Sequence, residues 1–258
     1  MALITCSIYS EVLQLTTTMT VIIPQQFAHL NQSKNSRNDG RYPTLYLLHG
    51  MSDDHSNWVR YSLIERYANE HQLAVVMPQA DLSFYTDMTY GNKYWTFITE
   101  ELPVVARSLF PLSSAREDNF VAGFSMGGYG AFKWALRHPE QFAAAASISG
   151  ALDITSTTIR NLLGDRYRYI FGEHDPIGTE DDLIHLLAQT NDSNEVQPLF
   201  YQCVGTKDYL YEMNQTFRLA CEQTNLDYTY LEHPDASHDW NYSDASIKEI
   251  MNWLPIRP

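Results

Sequence analysis

The sequence predicts an α/β protein, one domain over residues 1–258 built on a mostly parallel sheet with an antiparallel hairpin at its start and helices on both faces. Three observations predict it. Apolar runs closed by Gly, Pro or Ser recur as TLYLLHG (44–50), LAVVMP (73–78), FVAGFS (120–125) and LFYQCVG (199–205), and strands apolar throughout are buried on both faces. Stretches with helical spacing at 58–69, 94–109 and 128–137 lie between them, so strand and helix alternate as in a sheet covered by helices. Apolar residues make up 44% and charged residues 19%, with 12 Gly and 11 Pro; this balance excludes disordered, collagenous and coiled-coil chains.

In chain order, β-like runs at 4–13 and 18–23 end at Pro24. Proline cannot donate to a sheet ladder and so marks the exit from a hairpin. NQSKNSRNDG (31–40) has the composition of an exposed loop. AAAASISG (143–150) is read as a strand from its place after a helix and before a Gly. The rhythm breaks over 151–196, which carries an acidic cluster of Glu173, Asp175, Glu180, Asp181 and Asp182 and is read as a small helical cap inserted over the sheet. The chain closes with a strand at 227–232, a loop at 234–240, and a helix starting near Ser243 and Asp244, with Ile247, Ile250, Met251 and Leu254 on one side.

Seventeen Lys and Arg against 31 Asp and Glu leave a net charge of −14, a surface that repels phosphate backbones; no nucleic acid partner is expected. The opening MALITCSIYSEVLQLTTTMTVIIP has neither the basic start and apolar stretch of a secretory signal nor a membrane span. Cys6, Cys203 and Cys221 are too few and scattered for a disulfide framework. Free thiols fit a reducing compartment, the cytoplasm. No H-x-x-x-H or Cys pair suggests a metal.

Gly123-Phe124-Ser125-Met126-Gly127 fits G-x-S-x-G at the end of a buried strand and the start of a helix. A strained strand-to-helix turn pushes the seryl oxygen out at the top of the sheet, and Gly on both flanks removes side chains that would clash there. Ser125 is the candidate nucleophile. A hydroxyl needs a base, and the chain order in this kind of site is Ser, then acid, then His. His238, in the loop after the last strand at the carboxyl edge of the sheet, meets that order; His233, behind Pro234 and next to the strand, is read as structural. Asp208 follows the preceding strand and is preferred as the acid over Asp175, although an Asp there can also cap a helix. Backbone N–H groups of Met51, closing the first buried strand, and Met126, next to the nucleophile, are the candidate oxyanion donors. His49 is read as shaping its own turn.

These residues carry a resemblance. YPTLYLLHGMSDDHSNW (42–58), YTDMTYGNKYWTFITEELP (85–103), AGFSMGGYGAFKWAL (122–136), GTKDYLY (205–211) and SHDW (237–240) resemble the esterase D, or putative esterase, branch of the α/β-hydrolases, nearest within it to bacterial tributyrin esterases. The resemblance runs from the first hairpin to the last helix. It implies a cytoplasmic serine carboxylesterase that cleaves short acyl esters, acetyl to butyryl, of tributyrin-like or acetylated-sugar type through an acyl-enzyme, with no cofactor. It carries over Ser125, Asp208 and His238 as the triad. Tyr85, Asp87 and Met88 fall where relatives line the site mouth and become candidates for substrate contact, beside the equal reading of a loop packed on the following helix. A homo-oligomer is implied by the resemblance alone. S-formylglutathione hydrolases and mycolyltransferases share the branch, so thioester hydrolysis and acyl transfer are the alternative chemistries; a catalytically silent binding protein is the alternative outside enzymes. Phe124 departs from the branch, where many relatives carry Leu.

Overall fold

The structure is a computed structural model that describes residues 1–25, 40–190 and 196–257. The predicted loop at 31–40, apart from Gly40, and residues 191–195 of the predicted cap lie outside the described residues. Eight strands form one sheet: β1 (Ala2–Ser10), β2 (Leu15–Ile23), β3 (Thr44–Leu48), β4 (Ala74–Pro78), β5 (Asn119–Phe124), β6 (Ala144–Ile148), β7 (Leu199–Gly205) and β8 (Tyr228–His233). Their order is β1-β2-β4-β3-β5-β6-β7-β8. Only β2 runs against its neighbours β1 and β4; from β4 to β8 every pairing is parallel. The hairpin is longer and shifted relative to the runs read from sequence, because residues 11–14 form its turn and Gln14 takes φ 55°.

Two apolar cores lie on opposite faces because side chains alternate along each strand. Tyr46 and Leu48 of β3 point into one, with α5 (Met126–Arg137) and α9 (Tyr211–Cys221); Leu45 and Leu47 point into the other, with α2 (Ile64–Glu70) and α10 (Trp240–Trp253). Strand order reverses between β3 and β5: the chain goes from β3 outward to β4, then returns to the far side of β3. The carboxyl ends at such a reversal leave a crevice.

Three predicted helices differ in detail. The stretch at 58–69 is two helices, α1 (Asn57–Tyr61) and α2, since the extended Ser62 bonds its hydroxyl back to the Trp58 carbonyl and Asp244 accepts the Leu63 N–H at 2.7 Å. Side chains here satisfy the backbone in place of the helix ladder. The stretch at 94–109 is α3 (Tyr94–Thr96), a π turn (Phe97–Glu101) and α4 (Leu102–Leu109); Pro103 in the first turn of α4 has no N–H to give back to the preceding turn. The last helix starts earlier than expected, capped by Asp239, whose carboxylate accepts from Tyr242 N at 2.9 Å; Asp244 is used on α2 instead. Between β6 and β7 run α6 (Thr157–Leu163), α7 (Asp165–Phe171) and α8 (Leu183–Thr190).

Candidate active site

Ser125 lies between β5 and α5 with φ 58° and ψ −118°, a left-handed backbone that a non-glycine residue holds only when its surroundings force it. The forcing is close packing of backbone. A Cβ on Gly123 would stand 2.3 Å from the Gly127 carbonyl carbon, and one on Gly127 would stand 2.3 Å from the Leu48 carbonyl oxygen of β3. The Ser125 N–H is held by the Ile148 carbonyl at 2.9 Å, and its own carbonyl accepts from Tyr129 and Ala151. Both backbone groups are thus committed, and the side chain is left to meet the groups around the turn.

Asp208 and His238 meet across the ends of β7 and β8. The His238 Nδ1 lies 2.8 Å from one Asp208 oxygen and 3.1 Å from the other, with the carboxylate fully buried and the imidazole 12% exposed. Asp208 also accepts the Leu210 N–H at 2.7 Å, so the helix-entry role and the imidazole contact are served by one carboxylate. The two loops are tied by Thr206 N donating to the His233 carbonyl at 3.0 Å and Lys207 N to the Ala236 carbonyl at 2.9 Å. With Nδ1 facing a carboxylate, the imidazole has Nε2 left to act as a base.

The imidazole is enclosed by two aromatic rings. Phe124 and Tyr209 each stand 4.5 Å from it, centroid to centroid. Trp240 packs on Phe124 at 5.6 Å and on Trp58 at 4.9 Å, which anchors the start of α10 beneath the histidine loop. The Tyr209 pKa is pushed up by burial and by the Asp208 carboxylate and drawn down by the Ser125 hydroxyl beside its phenol. One tyrosine therefore adjoins both Ser125 and His238. Sequence reasoning missed Tyr209, and read Phe124 only as a departure from the Leu that many relatives carry; neither spacing nor composition signals a ring that reaches across three strands.

Met51 follows β3, and its N–H stands without a hydrogen-bond acceptor among the described residues. The Met126 N–H heads α5, where a first-turn donor has no intrahelical partner. The loop carrying Met51 is braced from two sides. His49 Nδ1 pairs with the Gly50 carbonyl at 2.8 Å and its Nε2 accepts the Ala80 N–H at 3.0 Å. Burial holds the His49 pKa down, and the neutral ring is what this pair of bonds requires. Asp53 accepts the Gly50 N–H at 3.2 Å and the Asn57 side-chain amide. Burial raises its pKa, while the Gly50 N–H, and more weakly His238, oppose the rise. Asp53 too was missed, its motif neighbours being equally acidic and polar.

Other candidates are held elsewhere. Tyr85 is 1% exposed and donates its hydroxyl to the His49 carbonyl at 3.0 Å, so its ring serves the packing of the loop. Asp87 accepts the Thr96 N–H at 2.9 Å and the Thr96 hydroxyl at 2.6 Å, starting the helical stretch that follows. Met88 lines a cavity of about 410 Å³ with Leu82, Tyr90, Tyr94, Arg166 and Tyr169. Asp175 pairs with Arg160 at 2.8 Å, and His233 bonds Tyr242 at 3.0 Å and Glu249 at 3.2 Å. Among the described residues no group of three or more His, Cys, Asp or Glu is arranged to hold a metal, and no helix is long and apolar enough to cross a membrane.

A serine on a left-handed turn at the sheet's reversal point, beside a carboxylate–imidazole pair, defines an α/β-hydrolase of the serine type. The model of the Esterase family, described as "Putative esterase", matches residues 10–254, and the chain belongs to that family. It is a serine hydrolase acting on carboxylic esters. The chain is 28% identical, over 98% of both proteins, to an acetyl esterase of Caldicellulosiruptor saccharolyticus. It is similar in structure to FphF, a fluorophosphonate-binding serine hydrolase of Staphylococcus aureus, with a TM-score of 0.88 and 34% identity, covering 100% of this chain and 99% of that one. S-formylglutathione hydrolase (FrmB) of the same organism gives a TM-score of 0.85 and 34% identity over 98% of each chain.

Proposed function

We propose that the chain hydrolyses short-chain acyl esters, acetyl to butyryl, through an acyl-enzyme on Ser125. The observation that carries this reading is the buried Asp208–His238 contact at 2.8 Å beside a serine in left-handed conformation. His238 takes the Ser125 proton as Oγ attacks the acyl carbonyl; the Met51 and Met126 N–H groups hold the oxygen that becomes negative; His238 then protonates the departing alcohol. Water repeats the sequence on the acyl-enzyme. Asp208 keeps the imidazole in the tautomer with Nε2 free and stabilises the imidazolium. No cofactor enters the scheme. Likeness to an acetyl esterase supports the short acyl group, and the resemblance to tributyrin esterases extends it to butyryl.

The test is the initial rate on p-nitrophenyl acetate, butyrate, octanoate and palmitate with wild type beside Ser125→Ala. A peak at two to four carbons that falls by about 10⁴-fold or more in the variant is expected. Ordinary turnover by a folded Ser125→Ala would sink the reading. Thioester hydrolysis is the second reading, favoured by the likeness to FrmB and opposed by the charge of −14, which repels an anionic thiol ester. Parallel rates on S-formylglutathione separate the two, and added alcohol or sugar acceptors reveal any acyl transfer. The proposal includes α6, α7 and α8 as a cap over the site, a cytoplasmic setting suited to three free thiols, and a homo-oligomer as in the family it resembles.

A further inference from the structure

The loops around Ser125 divide by strand. On one side, the Met51 loop follows β3; on the other, Asp208, Tyr209 and His238 follow β7 and β8, with β5 and Ser125 between them. An ester bound to Ser125 with its carbonyl oxygen on Met51 and Met126 N–H groups therefore turns its alcohol side toward β7. That side is where Tyr209 stands, its ring 4.5 Å from the imidazole and its hydroxyl next to Ser125. The phenol makes no other side-chain or backbone hydrogen bond among the described residues, and the residue is 54% exposed, so an incoming group can reach it. Packing does not require the hydroxyl; a phenylalanine would cover the imidazole equally well.

We propose that Tyr209 is a further catalytic residue that donates a hydrogen bond to the alcohol-side oxygen of the ester, and so selects for leaving groups that need such help. The inference rests on the acyl-enzyme reading above. In the step concerned, the Ser125 Oγ–carbon bond has formed, the carbon–alkoxy bond breaks, and the proton taken from Ser125 passes from His238 to the alkoxy oxygen. Tyr209 keeps its own proton and shares it through a hydrogen bond. The phenol is suited to this because burial and the Asp208 carboxylate hold it in its protonated form. Between substrates, Tyr209 offers the Ser125 hydroxyl a partner that the ester displaces.

The experiment compares wild type, Tyr209→Phe and Ser125→Ala on butyrate esters of graded leaving group: p-nitrophenyl, phenyl, trifluoroethyl, ethyl and glyceryl. A phenolate such as p-nitrophenolate leaves without assistance, whereas a simple alkoxide does not. Tyr209→Phe is expected to lower kcat/KM about tenfold on ethyl and glyceryl butyrate, the worth of one hydrogen bond in the transition state, and less than twofold on p-nitrophenyl butyrate. The dependence of rate on leaving group then steepens, which a change in packing alone does not cause. Equal loss on every ester, or no loss on any, overturns the proposal. Labelling by a fluorophosphonate at the wild-type rate is expected of Tyr209→Phe and shows its Ser125 to be intact; slow labelling together with uniform loss means that the hydroxyl only positions Ser125 and takes no part in the departure of the alcohol, which overturns the proposal. Ser125→Ala should lose turnover on the whole series. If it does not, the acyl-enzyme reading itself falls, an outcome distinct from a neutral Tyr209→Phe beside an inactive Ser125→Ala.

Discussion

The turn from β5 into α5 and the segment between β6 and β7 both adjoin α5, yet they are held differently. Around Ser125 the contacts are backbone against backbone: Gly123 meets Gly127, and Gly127 meets the Leu48 carbonyl, with no room for a methyl group at either glycine. The segment carrying α6, α7 and α8 is tied by two backbone bonds, Thr89 N–H to the Ile170 carbonyl and Tyr90 N–H to the Tyr169 carbonyl at 3.0 Å each, and otherwise by side chains. Its Asp181 carboxylate pairs with Lys133 of α5, its Asp181 carbonyl accepts from the Tyr129 hydroxyl at 2.7 Å, and Glu180 pairs with Arg137. Tyr129, Lys133 and Arg137 recur every four residues and so share one face of α5. The acidic cluster that marked this segment in the sequence is largely its docking face and its internal ties, Arg160–Asp175 and Arg168–Glu173. A turn set by close backbone packing tolerates no change in shape; a segment tied largely by side chains tolerates exchange wherever solvent can replace the lost partner.

The sharpest break of this contrast is Gly127→Ala. With the new methyl 2.3 Å from a strand carbonyl, β3 and α5 have to separate, and a loss of about 4 kcal/mol or more is expected, read as a collapse of the urea midpoint or failure to fold. A midpoint within experimental error of wild type would show that the backbone contact is not what holds the turn.

On the other side, Lys133 is the one strong point. It is fully buried, donates to the Tyr85 carbonyl and the Thr86 hydroxyl at 3.0 Å each, and lies 4.4 Å from the Trp95 ring centre. Burial lowers its pKa and Asp181 pulls it back up. Lys133→Ala leaves these acceptors and the Asp181 carboxylate unpaired, at an expected cost of about 3 kcal/mol by urea denaturation. A loss below about 1 kcal/mol would mean that the segment is held by its apolar contacts alone.

His49 tests the brace beneath Met51. Its pKa is lowered in the fold and ordinary, about 6.5, in the unfolded chain. Its contribution is therefore full above pH 6.5. As pH falls from 6.5 toward the lowered value, the unfolded chain binds a proton that the folded chain refuses, and stability drops by at most about 1.4 kcal/mol per pH unit. Urea midpoints at pH 7.5 and 5.5 should differ more in wild type than in His49→Gln, and an identical difference in both would assign the acid sensitivity elsewhere. The smallest effect belongs to Arg168→Ala, which removes an exposed pair with Glu173; a urea midpoint within experimental error of wild type is expected, and a shift as large as that of Lys133→Ala would mean that the surface ties of the segment matter as much as its buried one.

Much of this arrangement was legible before the fold. The strand ends at Leu48, Phe124 and Gly205 follow from apolar runs that stop at small or polar residues, and Ser125 stands where a strand, a Gly-flanked serine and a helix follow each other within a few residues. Asp208 and His238 could be named from their places after β7 and β8, and the structure brings them together at 2.8 Å. The ring contacts were not legible. Phe124 precedes Ser125 and Tyr209 follows Asp208, but whether two rings close on one imidazole depends on where three loops from separate strands end up. Nor could Tyr85 be told from a surface tyrosine, since its burial comes from α5, distant in sequence; a Cβ on Gly130 would lie 2.5 Å from its ring. The breaks at Ser62 and Pro103 show the same division: the proline is a local signal, while the Asp244 carboxylate that holds Leu63 comes from the last helix.

Residue type and near-neighbour spacing determine the alternation of strand and helix and the place of a Gly-flanked serine between a strand and a helix, because each rests on burial or backbone geometry within a few residues, and the order of the strands along the chain then places nucleophile, acid and base. Tertiary structure decides that Phe124 and Tyr209 enclose His238, that Asp181 finds Lys133, and that His49 must stay neutral, because those depend on which strands become neighbours and on how far each group is removed from water.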